Sequence, residues 1–390
     1  MRANRTPLVS MIVLVVAMVA SLWSPPVKAQ SNGPVFQVDP FWPKPLPHNW
    51  VTGEVGGTCV DSQDHVFIVT RGFQTGGLVS PEGVGGKPEK STASPPAIEF
   101  DPEGNVVNSW GDPSIVASGP NAGKNLVLPN GIHGCFVDYQ DNVWIAGNGD
   151  GVVQKYSHDG STMLLQIGTK FVCDNGTAAG GACGNIGLTG NSTTLLNDPA
   201  DIAVDPTNGD VYIADGYGNH RVVVFDKSGN YLRQMGGVGT GTGQFTAGDG
   251  GHPHCVVIGK DGLVYACDRG QDRINVYKKD GTPVAEIPVI PGTAALGTAG
   301  SAWDVDFSAG RQQTFMYESD GGNEVVWIFN HAAALAGLPN AILSGFGRPG
   351  HMAGEFTFLH MMAVDSRGNL YAGETIGGRR IQKFRLQGDD

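Results

Sequence analysis

Along most of the chain, short apolar runs alternate with clusters of Gly, Asp, Asn and Ser, a rhythm that predicts many short strands joined by tight turns. One hairpin turn recurs: "DSQDHVFIVTR" from Asp61, "DYQDNVWIAGN" from Asp138, "DPTNGDVYIADG" from Asp205, "GKDGLVYACDR" from Gly259 and "DSRGNLYAGET" from Asp365. A degenerate copy, "SAGRQQTFMYES" from Ser308, makes six. Most copies are followed by a second hairpin, such as "AIEFDPEGNVVNSWG" or "RVVVFDKSGNYLRQMG". Two hairpins per unit mean four antiparallel strands per unit. Six such units around an axis predict an all-β, six-bladed β-propeller, which avoids long exposed sheet edges by radial repetition.

The ring must also close. The last unit, "RRIQKFRLQ", runs out of chain after its third strand, while "VFQVDPFW" supplies an orphan strand near the other end. The segment around Val35 to Phe41 is therefore expected to complete the last blade, within a single propeller domain spanning residues 30–390.

Aligning the units exposes two columns of side chains. Five residues before each first-hairpin turn, at the start of the innermost strand, stand Gly56, His133, Ala200, His254, Trp303 and His360. Histidine occupies this register in units two, four and six and in none of the odd ones, so three imidazoles are expected to converge on the channel axis. Three in one register, in a chain with ten histidines, predict a metal site. His252 breaks the register, as do His65, His158, His220, His331 and His351, which are expected on the surface or in loops. The ends of the second strands give Arg71, Asn148, Gly216, Arg269, Ser319 and Thr375, with Tyr217 next to the glycine. Two arginines and a tyrosine are thereby brought to the face that carries the histidines.

Three neutral imidazoles with an open fourth position suit catalytic zinc, which lowers the pKa of a bound hydroxyl or water. Copper and non-haem iron also accept imidazole, so the sequence fixes the ligands better than the metal. Arginine offers a fork for a carboxylate, and a tyrosine beside positive charge is a candidate general base.

Composition sets the compartment. The first 29 residues have a positive end (Arg2, Arg5), an apolar run from Pro7 to Trp23 and a small-residue cleavage site at Val27-Lys28-Ala29, the anatomy of a secretory signal. The run is short for a bilayer span and is followed at once by Pro25-Pro26, which favours cleavage over an uncleaved anchor. A secreted or periplasmic protein is expected. The formal charge is −12 and grows more negative once the signal is removed, which argues against nucleic acid and anionic membrane surfaces as partners. Six cysteines in an exported chain permit disulfides. Cys173 and Cys183, bracketing "CDNGTAAGGAC", are the strongest pair. Cys255 and Cys267 either face each other across their hairpin or are two buried thiols.

The units resemble NHL repeats. The order "IHGCFVD", "DPADIAVDPTNGDVYIADGYGNHRVVVFDKSGNYLRQMG", "HPHCVVI" with "CDRGQDRI", and "FLHMMAVD" is similar to the peptidyl-α-hydroxyglycine α-amidating lyase family, over roughly Val51 to Leu386. The resemblance implies that His133, His254 and His360 hold zinc, that Tyr217 is the catalytic tyrosine, and that Arg269 and Arg71 are active-site arginines. It implies cleavage of a carbinolamide to an amide and glyoxylate. Three departures matter. Met361 stands where the family carries an aspartate that helps hold a structural calcium, which argues against calcium here. Gly218 replaces a cysteine, removing a disulfide from the tyrosine loop. Insertions at Phe73 to Pro96 and Lys170 to Asn197 could reshape the mouth. No companion copper monooxygenase is read in the sequence, so a peptide substrate is less secure than a lyase-type site.

The expectation is a zinc-dependent, exported lyase-like enzyme acting on a small or peptide-derived carbinol bearing a carboxylate. The alternatives are a metal-dependent hydrolase on the same site and a non-catalytic propeller that binds partners.

Overall fold

The computed structural model describes residues 33–71, 92–111, 128–174, 183, 189–247 and 252–388, and in it each sequence unit is a four-stranded antiparallel sheet. Blade 1 consists of Val55–Val60, Val66–Thr70, Ala97–Phe100 and Val106–Trp110. Blade 2 follows as Ile132–Val137, Val143–Gly147, Val152–Tyr156 and Met163–Ile167, and blade 3 as Asp201–Val204, Val211–Asp215, Arg221–Phe225 and Tyr231–Gly236. Blade 4 is Val256–Ile258, Leu263–Asp268, Arg273–Lys278 and Pro283–Pro288; blade 5 is Asp304–Phe307, Phe315–Asp320, Val325–Asn330 and Ile342–Phe346. The degenerate fifth unit is thus a full blade. Among the described residues the one α-helix is the short His331–Leu335, and no helix is long and apolar enough to cross a membrane.

Blade 6 is built from both ends of the chain. Leu359–Val364, Leu370–Glu374 and Arg380–Gln387 are joined by Val35–Asp39, which runs antiparallel to the last of them in the register Val38↔Phe384. Asp39 adds an ion pair by accepting from Arg385 Nε at 3.0 Å. The predicted signal, residues 1–29, lies outside the described residues, as do residues 73–91 of the first insertion and residues 175–182 and 184–188 of the second.

Facing blades bury their apolar faces against each other. Tyr212, Ala214, Val222 and Val224 of blade 3, for example, pack with Val256, Val264, Ala266 and Tyr277 of blade 4, and each such side chain contributes about 1.5–3 kcal/mol of burial. Around the axis, acids latch one innermost strand to the next. Asp201 accepts from Val256 N at 3.0 Å, Asp304 from Met362 N at 2.8 Å and Asp306 from Val364 N at 2.8 Å. These carboxylates line a channel cavity of about 150 Å³, where burial raises Asp201 and Asp306 to about 7 and Asp304 well above the ordinary range.

Three disulfides close the accounting of cysteine. Cys173–Cys183 pairs as the sequence predicts, and Cys255–Cys267 is bonded rather than a pair of thiols. Cys59–Cys135, not foreseen, joins the innermost strands of blades 1 and 2. All three are compatible with an extracellular location.

Candidate metal and catalytic site

His133, His254 and His360 meet at one end of the channel. Their ring centroids lie 4.6 to 4.9 Å apart, and one nitrogen from each falls within 4.8 Å of the other two. All three are buried. The odd-numbered blades, silent in the histidine column, turn out to aim these rings. His133 Nδ1 donates to the carbonyl of Ala200 at 2.8 Å, and His254 Nδ1 to that of Trp303 at 2.7 Å. Ala200 and Trp303 occupy the same register one blade on. His360 lies against Gly56, the equivalent residue of blade 1, although its Nδ1 forms no well-aligned bond.

With Nδ1 of His133 and His254 committed to the backbone, Nε2 of each is left to face the axis, the second-sphere arrangement that orients metal-bound histidine. His254 Nε2 is buried without a hydrogen-bond partner, a cost that a cation would relieve. Burial holds all three imidazoles well below the usual histidine range, reinforced by the positive charge of Arg269 and, for His133 and His360, of Arg71. They are neutral at physiological pH, as ligation requires. The residues fit a zinc ion.

Tyr217 stands beside this cluster. Its hydroxyl lies 3.1 Å from His133 Nε2 and accepts from the Arg269 guanidinium at 3.4 Å. Its position is set by a clamped loop. Asp215 and Arg221, register partners at the loop's two ends, form a buried ion pair at 2.9 Å, and Asn219 donates to the same carboxylate at 2.6 Å. Gly216 is required by close approach, because a Cβ there would sit 1.7 Å from the Pro253 carbonyl oxygen. That contact seats the loop against the residues leading to His254.

Arg269 is buried, with its guanidinium 4.2 Å over the Trp303 ring and 5.6 Å from that of Tyr217. Arg71 donates from Nε to the Ile132 carbonyl at 2.7 Å and pairs with Glu54 at 3.4 Å. The structure therefore brings His133, His254, His360, Tyr217 and Arg269 into one cluster, with Arg71 at its border, following the second strand of blade 1 and bonded to the blade 2 strand that carries His133. Trp303 was missed as a participant; its place in the histidine column was the available signal.

His220 and His252 lie in loops as expected yet are buried, and His331, which opens the helix His331–Leu335, is buried as well. His331 is held between the Tyr265 hydroxyl at 2.6 Å and the Gln313 carbonyl at 2.9 Å, while His220 and His252 stack at 6.2 Å behind the tyrosine loop. His351 is exposed as expected.

Fold and site together define a six-bladed β-propeller of the NHL type with a three-histidine cluster in its channel. The NHL repeat model matches residues 196–225. Human NHL repeat-containing protein 3 is 27% identical over 370 residues, covering 90% of this chain and 84% of that protein. Rat peptidylglycine alpha-amidating monooxygenase is 28% identical over 242 residues, 58% of this chain and 21% of the rat protein. The probable peptidyl-alpha-hydroxyglycine alpha-amidating lyase pgal-1 of Caenorhabditis elegans is 23% identical over 209 residues, 47% of this chain and 54% of the worm protein. Among solved structures, a streptogramin B lyase shares the fold with a TM-score of 0.51 at 12% identity, over 90% of this chain and 98% of that one. The chain is thus a distant relative of amidating lyases and of NHL repeat proteins.

Proposed function

We propose that this protein is an exported, zinc-dependent lyase that cleaves the C–N bond of a carbinolamide of the N-acyl-α-hydroxyglycine type, giving an amide and glyoxylate. The observation that carries this reading is the Tyr217 hydroxyl, held between a histidine of the buried triad and a buried guanidinium. A zinc ion on His133, His254 and His360 would make the substrate's α-hydroxyl more acidic. Tyr217 is within reach to take that proton as general base. As the electron pair left on oxygen by the lost proton forms the carbonyl π bond, the C–N bond breaks, its electron pair goes to nitrogen, and the proton on Tyr217 passes to the departing amide. Arg269 donates to the Tyr217 oxygen, and Arg71 is the group offered to the substrate carboxylate.

The test is incubation of purified protein with an N-acyl-α-hydroxyglycine, scored for glyoxylate, together with zinc analysis of the wild type and of His254→Ala. Glyoxylate release that disappears with the zinc supports the lyase. Turnover of esters or lactones without glyoxylate indicates a hydrolase. Absence of all turnover with zinc retained would support the binding-platform reading.

A further inference from the structure

A second cluster of metal-ligating side chains lies at the opposite end of the propeller, where blades 1 and 2 meet. Asp61 and His65 sit in the first-hairpin turn of blade 1, Glu99 on its third strand, and His158 in the turn after the third strand of blade 2. The ligand atoms of Asp61, His65 and Glu99 lie within 4.8 Å of one another. Both carboxylates are buried, and each pairs with both imidazoles: Asp61 with His158 at 2.9 Å and His65 at 3.8 Å, Glu99 with His65 at 2.7 Å and His158 at 4.0 Å. The His65 and His158 side chains are 24% and 32% exposed, so the cluster opens to solvent and an ion can enter.

Glu99 pairs across the sheet with Phe67, in the register where blade 2 has Lys155 opposite Trp144 and blade 6 has Lys383 opposite Tyr371. At this register blade 1 differs from blades 2 and 6, while blades 3, 4 and 5 carry Val224, Val276 and Ile328. In blade 2 that lysine neutralises the turn aspartate, Lys155 to Asp138 at 2.9 Å, and the tryptophan donates to the same carboxylate at 2.9 Å. In blade 6 Lys383 is drawn to Asp365, and Tyr371 donates to that aspartate at 3.0 Å. Blade 1 replaces the cation with a second acid and the polar aromatic with phenylalanine. Two histidines take their place, one borrowed from the next blade. Buried carboxylates need a cation or a metal, and each imidazole places a ring nitrogen beside them.

We propose that Asp61, His65, Glu99 and His158 form a binding site for a divalent first-row transition metal, with zinc the best match to two imidazoles and two carboxylates. The ion fastens blade 1 to blade 2 on the face away from the three-histidine cluster.

The test is zinc content per chain after equilibration with Zn²⁺ and removal of free metal, comparing wild type with Glu99→Lys. That variant installs the lysine of blades 2 and 6 beside Asp61, so it keeps the seam neutral and is expected to fold. Wild type is expected to hold one more equivalent of zinc than Glu99→Lys, whatever the three-histidine cluster binds. In a His254→Ala background, added Zn²⁺ is expected to raise the melting temperature when Glu99 is present and to leave it unchanged when Glu99→Lys is added. His158→Ala, a truncation of a partly exposed side chain, is expected to lose the same equivalent. Equal zinc content in wild type, Glu99→Lys and His158→Ala would overturn the proposal.

Discussion

His254 and Trp303 are linked twice: the imidazole Nδ1 donates to the tryptophan carbonyl at 2.7 Å, and the two rings meet edge to face at 5.4 Å. The other side of the bond network is Arg269, whose guanidinium lies 4.2 Å over the same indole. Trp303 therefore positions a candidate ligand through its backbone and a candidate catalytic cation through its ring. Trp303→Ala keeps the carbonyl but removes the stacking surface, so it is expected to cut glyoxylate release about 10- to 100-fold, the usual loss for such supporting residues. Bound zinc is expected to remain. Trp303→Phe, which keeps an aromatic face, should recover most of the rate.

Tyr217→Phe removes a hydroxyl that touches His133 Nε2 at 3.1 Å and Arg269 at 3.4 Å. The ring and the clamped loop around it are retained. If the hydroxyl is the base, turnover falls by about 10²-fold or more with zinc content and melting temperature unchanged. Unchanged turnover would remove Tyr217 from the reaction.

The blade count and the histidine column were legible because both follow from one repeated turn, whose position fixes the register of every innermost strand. The same column held information that side-chain chemistry alone conceals. Ala200 and Trp303 act through backbone carbonyls, and a carbonyl is present at every residue whatever its name. Cys59–Cys135 escaped because its partners are 76 residues apart; they become neighbours only when blade 1 is laid against blade 2. Burial of His220 and His331 escaped too, since each is covered by residues from outside its own hairpin: Thr246 and His252 face the first, Gln313 and Tyr265 the second.

That inter-blade disulfide closes a longer loop than the other two. On the chain-entropy account, cross-links closing 76 and 12 residues restrict the unfolded chain by about 4 and about 3 kcal/mol. The paired substitution Cys59→Ser with Cys135→Ser is expected to lower the urea midpoint more than Cys255→Ser with Cys267→Ser. Equal midpoints for the two double variants would mean that the seam between blades 1 and 2 is held by its packing alone.

Asp306 gives the fold a pH dependence of unusual sign for a carboxylate. Burial in the channel raises it to about 7, against hydrogen bonds from Phe307 N and Val364 N and the attraction of Lys260 that lower it. Between pH ~4 and pH ~7 the native chain retains a proton that the unfolded chain has released, so native protonation exceeds unfolded protonation and stability falls as pH rises. This contribution is fully present below the unfolded value near 4 and is lost as pH climbs through 7. At about 1.4 kcal/mol per unit, it amounts to no more than about 4 kcal/mol. Asp306→Asn, neutral throughout, is expected to match the wild-type melting temperature near pH 4, where the acid is protonated in both states, and to exceed it by several degrees at pH 8. Thermal melts of both proteins across that range supply the check. A melting-temperature difference that stays flat with pH would show that folding does not shift the titration of Asp306.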